Sequence, residues 1–280
     1  MHRYRIDGPA LISFSGGRTS AFLLHEIVSA HGGALPDDVK VCFANTGQER
    51  EETLRFVHEC ASRWGVRVHW LEWRDQPEGF DEVGFNSAAR AGEPFAKLIA
   101  KKQRLPNWQE RWCTEFLKVR PMFSFMRASL GLQLGQFVEV IGLRHDEERR
   151  IARGTARADD DGRRVRYPLH EAGVTKSMVM AFWKRQPFDL GLQPWEGNCT
   201  LCFMKGRSLR KAIIRERPAC AAWWDEQERA TGGFFDRRDR VADLVEEVRR
   251  QPTLNFDPVA DEYDVECGDQ CVEPAQMLAG

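Results

Sequence analysis

Ala10-Leu11-Ile12-Ser13-Phe14-Ser15-Gly16-Gly17-Arg18-Thr19-Ser20 decides how this chain is read. The apolar run Ala10–Phe14 reads as a short buried strand. Two glycines then let the backbone turn tightly, with no Cβ to hold a ligand off. Phe22, Leu23, Ile27 and Val28 follow at helical spacing. A helix that starts there offers unpaired N–H groups and the positive end of its dipole. Strand, Gly-Gly turn and helix together make an anion cradle. Ser13 at the strand end and Ser15, Thr19 and Ser20 in the loop add hydroxyls, and Arg18 adds a guanidinium. The loop lacks the Gly-x4-Gly-Lys spacing of a Walker A motif and the Gly-x-Gly-x-x-Gly of a dinucleotide fold.

Outward from this loop, strand and helix patterns alternate. Val39–Ala44 reads as a second strand, Glu49–Trp64 as a helix, Val66–Trp70 as a third strand and Phe137–Ile141 as a further one. Such alternation predicts βαβ units and a parallel sheet. The expected fold is therefore α/β, an open, mainly parallel twisted sheet with helices on both faces. Residues 76–121 read as irregular, 158–164 as an exposed turn or loop, and Lys176–Lys184 as a helix. We expect a nucleotide-binding domain over residues 1–187, a helical cysteine-containing region over 188–250 and an acidic tail over 251–280.

The 280 residues carry a net charge of −1, which excludes a generally basic nucleic-acid binder. Charge is nevertheless segregated. Residues 144–166 hold eight arginines against six acids, and residues 205–217 hold six bases against one acid. Neither a membrane-length apolar run nor a signal-peptide pattern is present, so a cytoplasmic location is expected. Arg144, Arg149 and Arg150 follow the strand that ends at Gly142. Ligands of open parallel sheets bind outside the carboxyl ends of the strands, where arginines clamp phosphate or sulfate. Glu–Arg pairing along a helix face is the structural alternative.

The loop resembles the signature of the PP-loop ATP pyrophosphatase superfamily, with Thr19 where that family usually has Asp. Phe43-Ala44-Asn45-Thr46-Gly47, Arg111-Trp112-Cys113-Thr114, Leu117-Lys118-Val119-Arg120-Pro121, Ile141-Gly142-Leu143-Arg144 and Cys199-Thr200-Leu201-Cys202 extend it. They resemble the phosphoadenosine phosphosulfate (PAPS) reductase-like branch. The resemblance implies an adenine nucleotide, either ATP (with Mg²⁺) or PAPS/APS, held by the loop residues with Gly142, Arg144, Arg149 and Arg150. It places Phe43, Ala44 and Asn45 against the adenine.

Of eight cysteines, Cys42 and Cys60 fall in apolar surroundings and read as core. Cys199 and Cys202 are spaced to face one metal. By resemblance Cys113 joins them, and Cys220 is the nearest further candidate. Three thiolates match a [4Fe–4S] cluster with one open iron, and four suit a closed cluster or Zn²⁺. Glu266-Cys267-Gly268 resembles the Glu-Cys-Gly of the reductases, where the cysteine attacks sulfonyl sulfur. Arg18, Arg144 and Cys267 are thus the candidate catalytic residues. Three functions remain open: adenylation-linked sulfur transfer to a nucleic-acid acceptor, with a sulfur-donor partner; PAPS/APS reduction to sulfite, with a reductant protein; and a non-catalytic nucleotide-binding subunit with a structural metal.

Overall fold

The structure, a computed structural model, describes residues 3–193, 196–197 and 199–250. Cys267 and Cys271 lie outside these residues, as do Trp195 and Asn198. Six strands form one sheet in the order β4-β3-β2-β1-β5-β6. They are β1 (Ala10–Ser13), β2 (Val39–Asn45), β3 (Val68–Trp73), β4 (Phe80–Val83), β5 (Val138–Ile141) and β6 (Arg164–Arg166). All neighbours are parallel except β3 and β4.

Period-two alternation assigns the two faces. Ile12, Phe14, Val41 and Phe43 pack with Leu23, Leu24 and Ile27 of α1 (Arg18–Ala30) and with Leu54, Val57 and Cys60 of α2 (Glu51–Trp64). Leu11, Cys42, Ala44 and Leu71 on the other face pack under Met122, Phe125 and Met126. Those three belong to a continuous helical segment: α4 (Trp112–Thr114), a π-helical turn (Glu115–Val119) and α5 (Arg120–Leu130). The expected α/β class and the strands at 10, 39, 66 and 137 are present with small shifts in their ends.

Residues 76–121 are more regular than their sequence suggests. They contain β4 and α3 (Glu93–Lys102), whose Phe95, Leu98 and Ile99 face inward. The expected loop at 158–164 is shorter, because α6 (Glu148–Asp160) runs through it and β6 starts at Arg164. After α7 (Pro168–Glu171) and α8 (Lys176–Trp183), the chain makes α9 (Arg207–Glu216), α10 (Cys220–Thr231) and α11 (Val241–Arg250). These last three surround a second core containing Leu209, Ile213, Trp224 and Phe235.

The charges of residues 205–217 are largely spent inside this helical region. Arg210 is 2% exposed, with Nη2 2.8 Å from Asp236 and 3.4 Å from Asp239. Lys205 Nζ donates to the Gly197 carbonyl, Lys211 pairs with Glu247, Arg207 with Asp239 and Arg217 with Glu52. Removing one partner of a buried ion pair leaves an uncompensated charge. Arg210→Ala is therefore expected to lower unfolding free energy by about 3–5 kcal/mol in urea titration, whereas Lys211→Ala, at the partly solvated edge of α9, changes it far less.

Candidate functional site: the nucleotide cleft

The loop after β1 is held by its own hydrogen bonds and packing. Phe14 N–H extends the β1 ladder to the Cys42 carbonyl at 2.9 Å. Gly16 then turns at φ +76°, and a Cβ there would lie 2.7 Å from Thr53 Cγ2 and 2.9 Å from Val57 Cγ2. Only glycine meets both demands. Gly17 caps α1 with extended backbone and no side chain of its own. The Ser15 and Ser20 hydroxyls lie 2.9 Å apart, and Ser20 Oγ donates to the Gly17 carbonyl at 3.0 Å. The opening amides of α1 have no helical acceptors and face the loop.

β1 is flanked by β2 on one side and β5 on the other, both parallel to it. The chain leaves β1 toward β2 and leaves β5 toward β6, so the connections diverge between β1 and β5. This is the switch point at which a crevice opens outside the strand ends. Gly142 lets the end of β5 pass α1, since a Cβ would sit 3.3 Å from Ser20 Cα. Arg144 follows, 2% exposed. Its Nη1 donates to Thr19 Oγ1 at 3.0 Å, its Nε to Asp146 at 2.9 Å and its backbone N–H to Glu147 at 2.9 Å. Glu147 also pairs with Arg150. Arg18 turns toward the segment after α8: Nε donates to Asp189 Oδ1 at 2.7 Å and Nη2 to the Leu192 carbonyl at 2.9 Å. Arg149 is exposed, and Arg150 lines the crevice.

The crevice is a cleft of about 840 Å³ including its open mouth. Ser13, Ser15 and Ser20 form one wall; Thr114, Lys118 and Val119 of the π-helical segment form the opposite one. Leu11, Ala44, Met122 and Phe123 supply an apolar floor. Such π turns recur at functional sites because they swing side chains off the regular helical path. Thr114 Oγ1 is buried and has no hydrogen-bond partner. Of the three residues read against the adenine, Ala44 reaches the cleft. Phe43 points to the other face, edge-on to Trp70, and Asn45 Nδ2 donates to Glu72 at 2.7 Å and to the Ala89 carbonyl at 2.9 Å. Sequence reasoning passed over Thr114 as a cleft residue, and Met122 and Phe123 altogether. The adjoining Leu117–Pro121 motif was the available signal.

Cys42 and Cys60 are buried in the two faces of the sheet, and burial pushes both thiols up in pKa. Cys113, Cys199, Cys202 and Cys220 all join the apolar cluster around α3, α9 and α10. Cys199 forms an isolated bridge with Glu49, and its Sγ lies 3.8 Å from Thr46 Oγ1. Thr200 continues the contact, its N–H donating to the Gln48 carbonyl at 2.8 Å. The Cys-x-x-Cys turn is thus seated on the loop that leaves β2. Burial raises the Cys220 thiol, opposed by the nearby Arg50 and Arg217 guanidiniums. Among the described residues no three His, Cys, Asp or Glu side chains converge as metal ligands do. The donor set fits a soft metal in kind, and Trp112 Nε1 and Thr114 Oγ1 flank Cys113 as buried donors without a partner.

The profile of the phosphoadenosine phosphosulfate reductase domain matches residues 9–185. The chain belongs to this family. It is 30% identical over 261 residues to the uncharacterized nin region protein ORF290 of Escherichia phage lambda, covering 90% of this chain and 84% of that one. It is 28% identical over 136 residues to the uncharacterized protein MJ0066 of Methanocaldococcus jannaschii, covering 49% of this chain and 23% of that one. A solved structure, U34-tRNA thiolase NcsA from Methanococcus maripaludis with its [4Fe-4S] cluster, superposes loosely (TM-score 0.38, 11% identity, 83% of this chain and 74% of that chain).

Membership in the PAPS reductase family makes nucleotide-dependent sulfur chemistry the broad setting of the cleft. No helix among the described residues is long and apolar enough to cross a membrane. In this member of the family, Thr19 stands directly opposite Arg144, so a hydroxyl accepts the bond that a carboxylate at the same position would take as an ion pair.

Two outcomes test the geometry. Gly16→Ala is expected to cost about 1–3 kcal/mol from its left-handed backbone and the crowding at Thr53, and to weaken adenine-nucleotide binding; thermal unfolding and calorimetric titration read the two effects. Asp146 supplies a pH test. Burial pushes its carboxyl up, but the Lys176 N–H and the Arg144 guanidinium outweigh this and hold it below its ordinary value. Its stabilising contribution is complete above the unfolded carboxylate range, about pH 4, and is lost as pH falls through the depressed native value. Asp146→Asn is expected to flatten the acid side of the Tm-versus-pH curve; an unchanged acid limb counts against the pairing.

Proposed function

We propose that the cleft binds ATP, uses it to adenylate an acceptor and passes sulfur to that acceptor, which is a nucleic acid. The supporting observation is the complete Gly16-Gly17 loop at the β1/β5 switch point, tied to the β5 end by the Arg144–Thr19 bond. Backbone amides of the loop and α1 take the phosphates, as oriented N–H groups at a helix start do. The base lies over Leu11, Ala44 and Met122. An acceptor oxygen attacks the α-phosphorus and pyrophosphate leaves; sulfide from a donor then attacks the adenylated carbon and displaces AMP. Catalysis of this kind is positioning and charge stabilisation.

Arg150 and Lys118, on opposite walls, are suited to the charge that develops on the phosphates. Arg144 acts as a positioning residue for the loop, and Arg18 couples the loop to residues 189–192. Cys113, Cys199 and Cys202, with Cys220 as a fourth, are the residues that would hold a [4Fe–4S] cluster or Zn²⁺, and Mg²⁺ would accompany the triphosphate. When bound, a three-thiolate cluster supplies an iron open to a sulfur ligand. The family match favours a second reading, in which PAPS or APS replaces ATP, Cys267 attacks the sulfonyl sulfur and sulfite results.

A nucleotide panel tests these readings. ATP conversion to AMP and pyrophosphate, reduced about 10–100-fold in kcat/KM by Arg150→Ala, supports the first. Sulfite release from PAPS or APS with a thiol reductant, abolished by Cys267→Ser, replaces it with the second. Anaerobic purification is expected to yield iron and acid-labile sulfide that Cys202→Ser removes; protein with neither metal nor sulfide overturns the cluster.

A further inference from the structure

Residues 97–127 contain eight bases and two acids: Lys97, Lys101, Lys102, Arg104, Arg111, Lys118, Arg120 and Arg127 against Glu110 and Glu115. In the fold this stretch runs from α3, through the loop before α4, to the π-helical wall of the cleft. Residues 205–217 have acidic partners for four of their six cations, from α2, α11 and the loop before α11; here four of the eight are paired, Lys101 with Asp75, Arg104 with Glu110, Lys118 with Glu49 and Arg120 with Glu115. Here Lys97, Lys101 and Arg104 are exposed. Lys102 has its ammonium 3.6 Å from the Phe116 ring centre, and Arg120 lies 4.0 Å from the same ring. Like charges crowd one another: burial lowers the Lys102 pKa, and Arg104, Arg120 and Lys101 lower it further.

Trp108 stands at the tip of the α3–α4 loop, 58% exposed and the most exposed large apolar side chain described. It is held there rather than left loose. Asn107 Oδ1 accepts from the N–H groups of Gln109 and Glu110 at 2.9 and 3.0 Å, and Asn107 N–H donates to the Glu110 carbonyl at 3.1 Å. The turn presents the indole to water in a preorganised position, with Arg104 and Arg111 within four residues of it along the chain. An aromatic platform in a cationic track is what an unpaired nucleic-acid strand requires: phosphates pair with the cations and a base stacks on the ring. Thr114 on the cleft wall follows Trp108 by six positions, at most about 21 Å of chain.

We infer that the α3–α4 loop and its flanking cations form a docking surface for a single-stranded nucleic acid, with a base stacked on Trp108 and the strand leading to the cleft. The inference rests on the sulfur-transfer reading above and names where its acceptor binds. Stacking selects an unpaired or flipped nucleotide over a closed duplex, because the indole needs an exposed base face.

The test measures fluorescence anisotropy of labelled single-stranded RNA and DNA of roughly 20 nucleotides, the matching duplexes and a poly-glutamate chain, at several salt concentrations. ATP affinity is measured on the same samples. Trp108→Ala is expected to weaken single-strand binding about tenfold. Lys97→Ala/Lys101→Ala/Arg104→Ala is expected to reduce the log–log salt slope by about two. Both variants keep the wild-type ATP affinity and circular dichroism, and Lys211→Ala keeps wild-type strand binding. Equal binding by wild type and Trp108→Ala overturns the surface. So does poly-glutamate binding as tightly as the strands. Absent strand binding at low salt with ATP binding intact overturns this surface alone, whereas loss of ATP binding in the wild type removes the nucleotide reading beneath it.

Discussion

Arg144 reaches from the end of β5 to the first turn of α1 and donates to Thr19 Oγ1 at 3.0 Å, while almost wholly shielded from water. A guanidinium buried this deeply is tolerated because Asp146 and Glu147 balance its charge. The bond crosses the one place in the sheet where neighbouring strands send their connections in opposite directions. The tie adds to the β1–β5 ladder, which ends at Ser13 and Ile141, and to the packing of Gly142 on Ser20. The cleft is therefore a consequence of topology, and the bond fixes the β5 end against the first turn of α1 beside it.

A second set of bonds connects this cleft to the thiols. Asn45 closes the end of β2 onto Glu72, and Thr46 gives its N–H and hydroxyl to Glu49 at 2.8 and 2.9 Å. Glu49 lies 3.8 Å from the cleft residue Lys118 and bridges to Cys199. Gln48 holds Thr200, whose hydroxyl accepts from Trp224 Nε1 at 3.0 Å. Gly47 turns at φ +78° with a Cβ position 2.9 Å from the Gly92 backbone, so this loop too is locked by close approach. The segment after β2 thus touches the nucleotide side through Lys118 and the cysteine side through Cys199.

The fold was legible where periodicity was strong. β1, β2, α1 and α2 follow from apolar residues at spacings of two or three to four, and Gly16 and Gly17 mark the turn between strand and helix. β6 escaped because Arg164-Val165-Arg166 is three residues long and charged, and β4 because Phe80-Asp81-Glu82-Val83 is a short, polar edge strand. α3 escaped although Phe95, Leu98 and Ile99 have helical spacing, because Gly, Pro and charge surround it. At the site, local sequence named the loop and Arg144 but not their partners. Asp189 for Arg18 and Thr19 for Arg144 are separated from them by 171 and 125 residues. Phe43 and Ala44 are adjacent in sequence, yet strand alternation sends them to opposite faces, so a motif naming both could bring only one to the cleft.

Charge along the chain is a poor guide to charge at the surface. Residues 205–217 are the denser basic block, but α9 turns those cations toward acids at 236, 239 and 247, where short-range pairing cancels their field. Residues 97–127 look less remarkable in sequence because aromatic residues and prolines interrupt them. Folding gathers their cations onto α3, the loop at Trp108 and the π-helical wall, where Asp75, Glu110, Glu49 and Glu115 pair with four of the eight. A net charge near zero therefore coexists with a local positive surface that ends at the cleft. Electrostatic attraction over a Debye length of about 8 Å acts on such local patches and not on the total. At α9 the same length scale leaves little field, because the acids at 236, 239 and 247 lie against the cations.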